Sequence, residues 1–480
     1  MSEARRFKTK ELLKVRFGFD DFRAGQEEVV EAVLKGVNTL VMLPTGTGKT
    51  LCYQLPSYFL GGTTLIVSPL LSLMEDQVDK MKQKGEKSVV ALNSFLTYPE
   101  KQEILKRLDQ YRFIYVSPEM LQQEQVMERL RSLQLSLLVI DEAHCISHWG
   151  MDFRPDYLKL GSIRRQLNNP LTMALTATAV QEVREEIIDV LGIRYPLKAV
   201  VHSVDRPEIQ LRVRQCDHKT DELTNLLNTF KGSGIIYFTS KKLADETADF
   251  IRTNIGIKAE SFHSDLTAND KRIVQAQFLS GQVSLICATS AFGMGIDKPN
   301  IRFVIHYHMP ASPEMYLQEI GRCSRDKKGG VAVLLYSPGD ELIQHRLQQD
   351  SLPEPNQLAF AYKYPQKLKD LTDDHRSQLA SHFITEGLSL SEATALIENY
   401  KKNRKSQLQT MIRYARTASC KRILLLDYFR ESLKERQNGC CSTCSNPLIL
   451  PYDEQEYDNI LQNSEENWQD RVKLLFNLPS

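Results

Sequence analysis

Short apolar runs punctuate the chain at near-regular intervals. Between residues 30 and 200 they read TLVML (39–43), TTLIVSP (63–69), FIYVSP (113–118), LLVIDE (137–142) and TMALTATA (172–179), with amphipathic stretches between them. Each run is rich in β-branched types, shows little alternation, and closes on Ser, Thr, Pro or Asp. That pattern predicts parallel strands covered on both faces, with functional loops at their C-terminal ends. The theme returns in GIIYFTS (234–240), AESFHS (259–264), SLICATS (284–290), FVIHYH (303–308) and AVLLYS (332–337), with a helix-like KKLADETADFIRTN (241–254) among them. Between the two sets, HSVDRPEIQLRV (202–213) lacks strong periodicity and reads as a linker. Beyond about residue 340 the strands stop. Residues 341–436 read as helices broken by SLPEPN (351–356) and GLSLSE (387–392), where Ser389 and Glu392 fit a capping box. The expected fold is therefore α/β: two parallel-sheet units over 1–205 and 206–340, then a helical module over 341–450. The remainder, 451–480, is an acidic tail, since 453–470 holds seven Asp/Glu and no Lys or Arg.

Composition narrows the function classes. The 480 residues are 42% hydrophobic and 25% charged with net charge +1, enough for several cores but without a global basic field. The opening MSEARRFKTKELLKV is too charged for a signal peptide, and no apolar run approaches the roughly 18 residues of a membrane span. A cytoplasmic protein with no membrane partner is expected, in which disulfides are disfavoured. Of nine cysteines, Cys52, Cys145, Cys216, Cys287 and Cys323 are scattered and read as small buried hydrophobes.

Chemistry gathers at two strand ends. Residues 42–54, MLPTGTGKTLCYQ, place Thr45, Gly46, Thr47 and Gly48 before Lys49-Thr50, a loop whose backbone N–H groups can wrap the phosphates of a nucleoside triphosphate. Leu43 departs from the strict pattern, which has Gly or Ala there. Lys49 would meet the β/γ-phosphates and the Thr50 hydroxyl Mg²⁺. Asp141, ending LLVI, would hold Mg²⁺ from the other side, while Glu142 would activate water. The second set has no such loop, so two units would share one site. There YLQEIGRCSRD (316–326) spaces Gln318, Arg322 and Arg325 at i, i+4 and i+7, one helical face aimed across the cleft, with Arg325 as the arginine finger and Arg322 its companion.

Cys420, Cys440, Cys441 and Cys444 supply the four thiolates of a closed Zn²⁺ site, free thiols being the alternative. Residues 401–437 carry 11 Lys/Arg against 3 Asp/Glu, so a zinc-pinned helical platform could meet a DNA backbone. Such a metal is expected to stabilise the platform rather than the sheet units.

These motifs together resemble the RecQ family of superfamily 2 helicases, over roughly residues 10–340 and the cysteine cluster. The resemblance implies two RecA-like motor domains and ATP-dependent 3′→5′ unwinding of DNA, in repair, recombination or replication. In FGFDDFRAGQEE (17–28) it implies that Gln26 reads adenine while Phe19 and Arg23 sandwich it; Phe22 reads as core. VSPLLSLMEDQV (67–78) and YVSPEML (115–121) are similar to segments lining the nucleic-acid groove. CISHWGMDFRPDY (145–157) resembles the aromatic loop that couples single-stranded DNA to the ATP site, through Trp149, Phe153 and Arg154, with Tyr157 either core or stacking. His144 would link Asp141-Glu142 to ALTATA (174–179). Departures are Met151 for a usual His, Cys323-Ser324 for Ala-Gly, and adjacent Cys440-Cys441, with Asn438 at the usual ligand spacing, which leaves the role of Cys440 open. The resemblance further implies a short form without the winged-helix and terminal helical domains of longer members. The expected partners are single-stranded and tailed duplex DNA. A strand-annealing or nucleotide-gated DNA-binding module, and an RNA helicase, are the alternatives.

Overall fold

A computed structural model describes residues 3–147, 155–293, 296–350, 352–370, 375–435 and 439–445. Trp149, Met151, Phe153, Arg154, Asn438 and the acidic tail lie outside them.

The first unit is a seven-stranded sheet: β1 Asn38–Met42, β2 Thr63–Val67, β3 Val89–Leu92, β4 Phe113–Val116, β5 Leu135–Ile140, β6 Thr172–Thr176 and β7 Leu197–Val201. Its order is β3-β4-β2-β5-β6-β1-β7, every pair parallel. The second is a six-stranded parallel sheet of β8 Ile209–Gln215, β9 Ser233–Tyr237, β10 Ala259–Phe262, β11 Leu285–Ala288, β12 Ile301–His306 and β13 Gly330–Tyr336, in the order β10-β11-β9-β12-β13-β8. Apolar clusters cover both faces of each sheet, which is why the strands read as unbroken apolar runs.

All ten sequence-expected strands form, and three others join them. β3 is only four residues long and β7 is a half-exposed edge. β8 corrects the linker reading of 202–213: Ile209–Gln215 pairs residue for residue with Gly330–Tyr336. Its IQLRVRQ alternates with period 2, the signature of an edge strand, so the linker proper is confined to 202–208.

The helical region holds Asp340–Asp350, Pro355–Lys363, His375–Thr385, Leu390–Arg416 and Lys421–Tyr428. The Ser389/Glu392 capping box opens the 27-residue helix as expected. Leu358, Ala361, Leu379, Ala380, Phe383, Ala393 and Ile397 form a small core of their own, so the described residues of 357–400 pack as helices.

The last helix packs the platform against both sheets. Leu426 and Phe429 belong to the core of the first unit, while Leu425, Cys420, Cys440 and Cys441 belong to that of the second. Polar contacts follow the same split. Tyr428 Oη donates to Glu314 at 2.6 Å in the second unit, and Arg430 pairs with Glu182 in the first. The helix is a wedge between the two sheets.

Candidate functional site

Because the strands of the first sheet run parallel, the loops after β1, β5 and β6 emerge at one edge, where those strands are neighbours. The loop after β1 carries Gly46 (φ 81°) and Gly48 (φ 78°), left-handed positions that cost a residue with a Cβ strain, and Gly48 caps the helix Lys49–Ser57. Lys49 Nζ lies 3.5 Å from Leu43 O.

Facing this loop, β5 delivers Asp141, half-buried beside the buried Glu142. Burial, then the charge of Glu142, push the Asp141 carboxyl up to about 7 against the pull of Lys49. Glu142 is only 8% exposed, adopts φ 47°, and its Oε2 has no hydrogen-bond partner among the described residues. Two adjacent carboxylates, one half-buried and one buried with an orphaned oxygen, fit a divalent cation reached from Thr50 and Asp141. His144 Nδ1 stands 3.0 Å from Thr176 Oγ1 and 3.4 Å from Glu142 Oε2, so it sits between the carboxylates and β6. Tyr157 is fully buried and its hydroxyl donates to Asp141 O at 3.1 Å, the core alternative.

Gln26 is buried against the phosphate loop. Its amide donates to Thr47 O (2.7 Å) and Gly48 O (3.1 Å) and accepts from Arg23 N (2.9 Å). The Arg23 guanidinium donates to Gly46 O at 2.6 Å and lies 5.9 Å from the ring centroid of Phe19, itself 45% exposed. Phe22 is half-buried against the cluster under this helix.

The second unit closes the site, with one correction. The helix carrying Gln318 ends at Ile320, and Ser324 is left-handed at φ 52°, so Arg322 and Arg325 leave from turns and not from one helical face. Both still reach the cleft. A methyl group on Gly46 would stand 2.8 Å from Arg325 Cγ, and one on Gly321 would stand 1.9 Å from Thr45 Oγ1. Arg325 pairs with Asp297 at 2.9 Å, and Arg322 donates to Gly293 O. Burial, then the nearby Arg322, lower the Arg325 pKa below its usual value.

Sequence reasoning missed the residue that joins the units. Arg206 uses all five donors of its guanidinium: to Glu208 (2.6 Å), Thr45 O (3.1 Å), and Gly321, Cys323 and Ser324 O (each 3.0 Å). It lies in the aperiodic 202–208, where nothing in the sequence marked it.

The four cluster cysteines converge, their sulfurs all within 4.8 Å of one another, Cys440 included. Cys420 Sγ lies 3.8 Å from both Cys440 Sγ and Cys441 Sγ, the separation that a tetrahedron with Zn–S of about 2.3 Å demands. Burial raises the Cys441 thiol, but backbone N–H groups of Lys421, Cys444 and Thr443 more than reverse this and bring it down to about 6. Burial and the neighbouring sulfurs push Cys444 up to about 12. A thiolate forms readily and its neighbours need a cation, which fits zinc. Of the scattered cysteines, Cys52, Cys145, Cys287 and Cys323 are buried and Cys216 is half-buried.

Residues 23–186 match the DEAD/DEAH box helicase family, 218–327 the helicase conserved C-terminal domain and 376–447 the RecQ zinc-binding family. The chain is 38% identical to the probable ATP-dependent DNA helicase RecS of Bacillus subtilis, over 98% of each chain. It is 34% identical to the ATP-dependent DNA helicase RecQ of Synechocystis, over 92% of this chain and 98% of that one. Against RecQ of Pasteurella multocida the identity is 34% over 94% of this chain, which spans 63% of the relative. The DEAD-box helicase Mss116 bound to ssRNA and UDP-BeF superposes with TM-score 0.60 at 17% identity, over 84% of this chain and 90% of that one. Mycobacterium smegmatis Lhr bound to ssDNA and AMP-PNP gives 0.57 at 20% identity, over 85% and 57%. Those two share the RecA-like fold. Among the described residues no helix is long and apolar enough to cross a membrane. Alignments that run the length of two curated relatives, together with a zinc-binding match spanning the cysteine cluster, place the chain in the RecQ family of DNA helicases.

Proposed function

We propose that this protein uses ATP hydrolysis to move 3′→5′ along single-stranded DNA and separate duplex, in the cytoplasm, in repair, recombination or replication. The proposed division is motor domains 1–205 and 206–340, platform 341–450 and tail 451–480. The observation that carries the reading is the meeting of Arg206 and Arg325 with the phosphate loop, with Arg322 beside Arg325, opposite Asp141 and Glu142. Buried and half-buried cations face a half-buried and a buried carboxylate across a cleft between two sheets, an arrangement suited to a triphosphate and its leaving group.

Thr45–Thr50 bind the phosphates and Glu142 orients and deprotonates water. Arg325, with Arg322, stabilises charge that develops on the γ-phosphate, and Gln26, Phe19 and Arg23 hold the adenine. Thr50 and Asp141 would hold Mg²⁺, which when bound offsets phosphate charge. Zinc on Cys420, Cys440, Cys441 and Cys444 is structural, since four thiolates leave no position for water. Trp149, Phe153, Arg154 and His144 couple DNA to hydrolysis. The test is unwinding of a duplex with a 3′ tail against one with a 5′ tail, beside an annealing assay. ATP-dependent unwinding of the 3′-tailed substrate is expected. Annealing without unwinding would overturn the reading.

A further inference from the structure

The C-terminal edge of the first sheet is divided. β5, β6 and β1 hold the nucleotide chemistry, while β3, β4 and β2 form the other half. Three loops leave that half: 68–70, 93–97 and 117–119. They are tied together. Ser68 N donates to Val116 O and Ser117 N to Leu92 O, each between adjacent strands. Asn93, 1% exposed, donates to Glu75 Oε1 at 2.6 Å in the helix after β2, and Lys101 donates to Gln123 beyond the third loop.

The outermost of these loops is built to present two rings. Asn93 Oδ1 accepts from Phe95 N at 2.9 Å, and Thr97 and Glu100 form a reciprocal capping box that fixes the next helical turn. Leu96 turns inward against the core. Phe95 and Tyr98 turn outward, 62% and 72% exposed. Exposing two aromatic side chains on a hydrogen-bonded loop is unfavourable in water and calls for a partner. Their chain neighbours Ser94, Lys101 and Gln102 are polar, and flat bases stack without the apolar pocket that a protein anchor needs.

We propose that Phe95 and Tyr98 are a stacking platform for unpaired bases, extending the single-stranded DNA track past β4 to the edge of the sheet. This rests on the reading of the protein as a motor on DNA. Because stacking ignores base identity, the platform adds affinity without sequence preference, and because it touches no phosphate, it leaves the salt dependence unchanged.

The test is fluorescence anisotropy of the full chain with a labelled oligothymidylate of about 16 nucleotides, across a salt series. F95A/Y98A is expected to bind about 5- to 100-fold more weakly with the same slope against salt. F95W/Y98F is expected to bind like the unaltered protein, and circular dichroism should report the same melting temperature for all. Equal affinity of F95A/Y98A and the unaltered protein would overturn the platform and leave the motor reading intact. A reduced salt slope would reassign the loop to phosphate contact. Failure of the unaltered protein to bind the oligonucleotide would overturn the motor reading, and the platform with it.

Discussion

Glu142 sits at φ 47°, a backbone conformation that a residue with a Cβ avoids, directly after the strand that delivers Asp141. In the proposed mechanism that turn would let consecutive carboxylates serve different partners, Asp141 the cation and Glu142 the water. Glu142→Gln keeps the shape but removes the base, so hydrolysis stimulated by DNA should fall by at least about 10²-fold while ATP still binds. Lys49→Ala should remove hydrolysis as well, and also weaken nucleotide binding. Filter binding and phosphate release check both, and near-normal turnover by Glu142→Gln would dismiss it as the base. A second residue reports on pH. His308 accepts from Thr239 N at 3.2 Å, and burial, with Lys219 nearby, lowers its pKa from 6.5 to about 4. The unfolded chain therefore takes up this proton first as pH falls. Stability should be full above about 6.5 and decline by about 3 kcal/mol on the way to 4. Urea unfolding at pH 7 and 5 measures it, and His308→Gln should reduce the difference between the two.

Elements whose logic is local were legible. Parallel strands buried on both faces announce themselves as apolar runs, and the capping box before residue 390 was visible as Ser-x-x-Glu. β8 was lost because it adjoins an aperiodic stretch, although IQLRVRQ alternates. The Gln318–Arg325 spacing suggested a single helix, but Gly321 and left-handed Ser324 end it, and tertiary contacts aim the two arginines instead. Arg206 was illegible because its five partners are mostly backbone carbonyls from elements more than a hundred residues away. The cysteine cluster was legible in number but not in register, since adjacent Cys440-Cys441 can close on one metal only through the turn that ends at Cys444. That turn is anchored to β8, where Ser442 N donates to Leu211 O at 2.8 Å. Purified protein should hold about one Zn²⁺ per chain. Cys440→Ser and Cys444→Ser should each reduce that content, read by elemental analysis. Full metal in Cys440→Ser would remove it from the ligand set.

At the scale of the whole molecule, the metal centre and the phosphate loop are connected by two guanidinium groups. Arg422, two residues after Cys420, donates to Cys440 O (3.4 Å), to Asp205, and to Arg206 O (3.1 Å). Arg206 in turn donates to Thr45 O in the phosphate loop. Zinc and nucleotide would thus meet opposite ends of one hydrogen-bonded chain that runs through the linker between the two units. Thermodynamic reciprocity then sets the outcome: if the metal tightens the nucleotide, the nucleotide tightens the metal by the same factor. A non-hydrolysable ATP analogue should slow the transfer of zinc to a colorimetric chelator, and Arg206→Ala should cancel that slowing while metal content stays full. The cysteine cluster would then be a readout of the motor as well as its anchor, letting each turnover be followed at a site that takes no part in the chemistry.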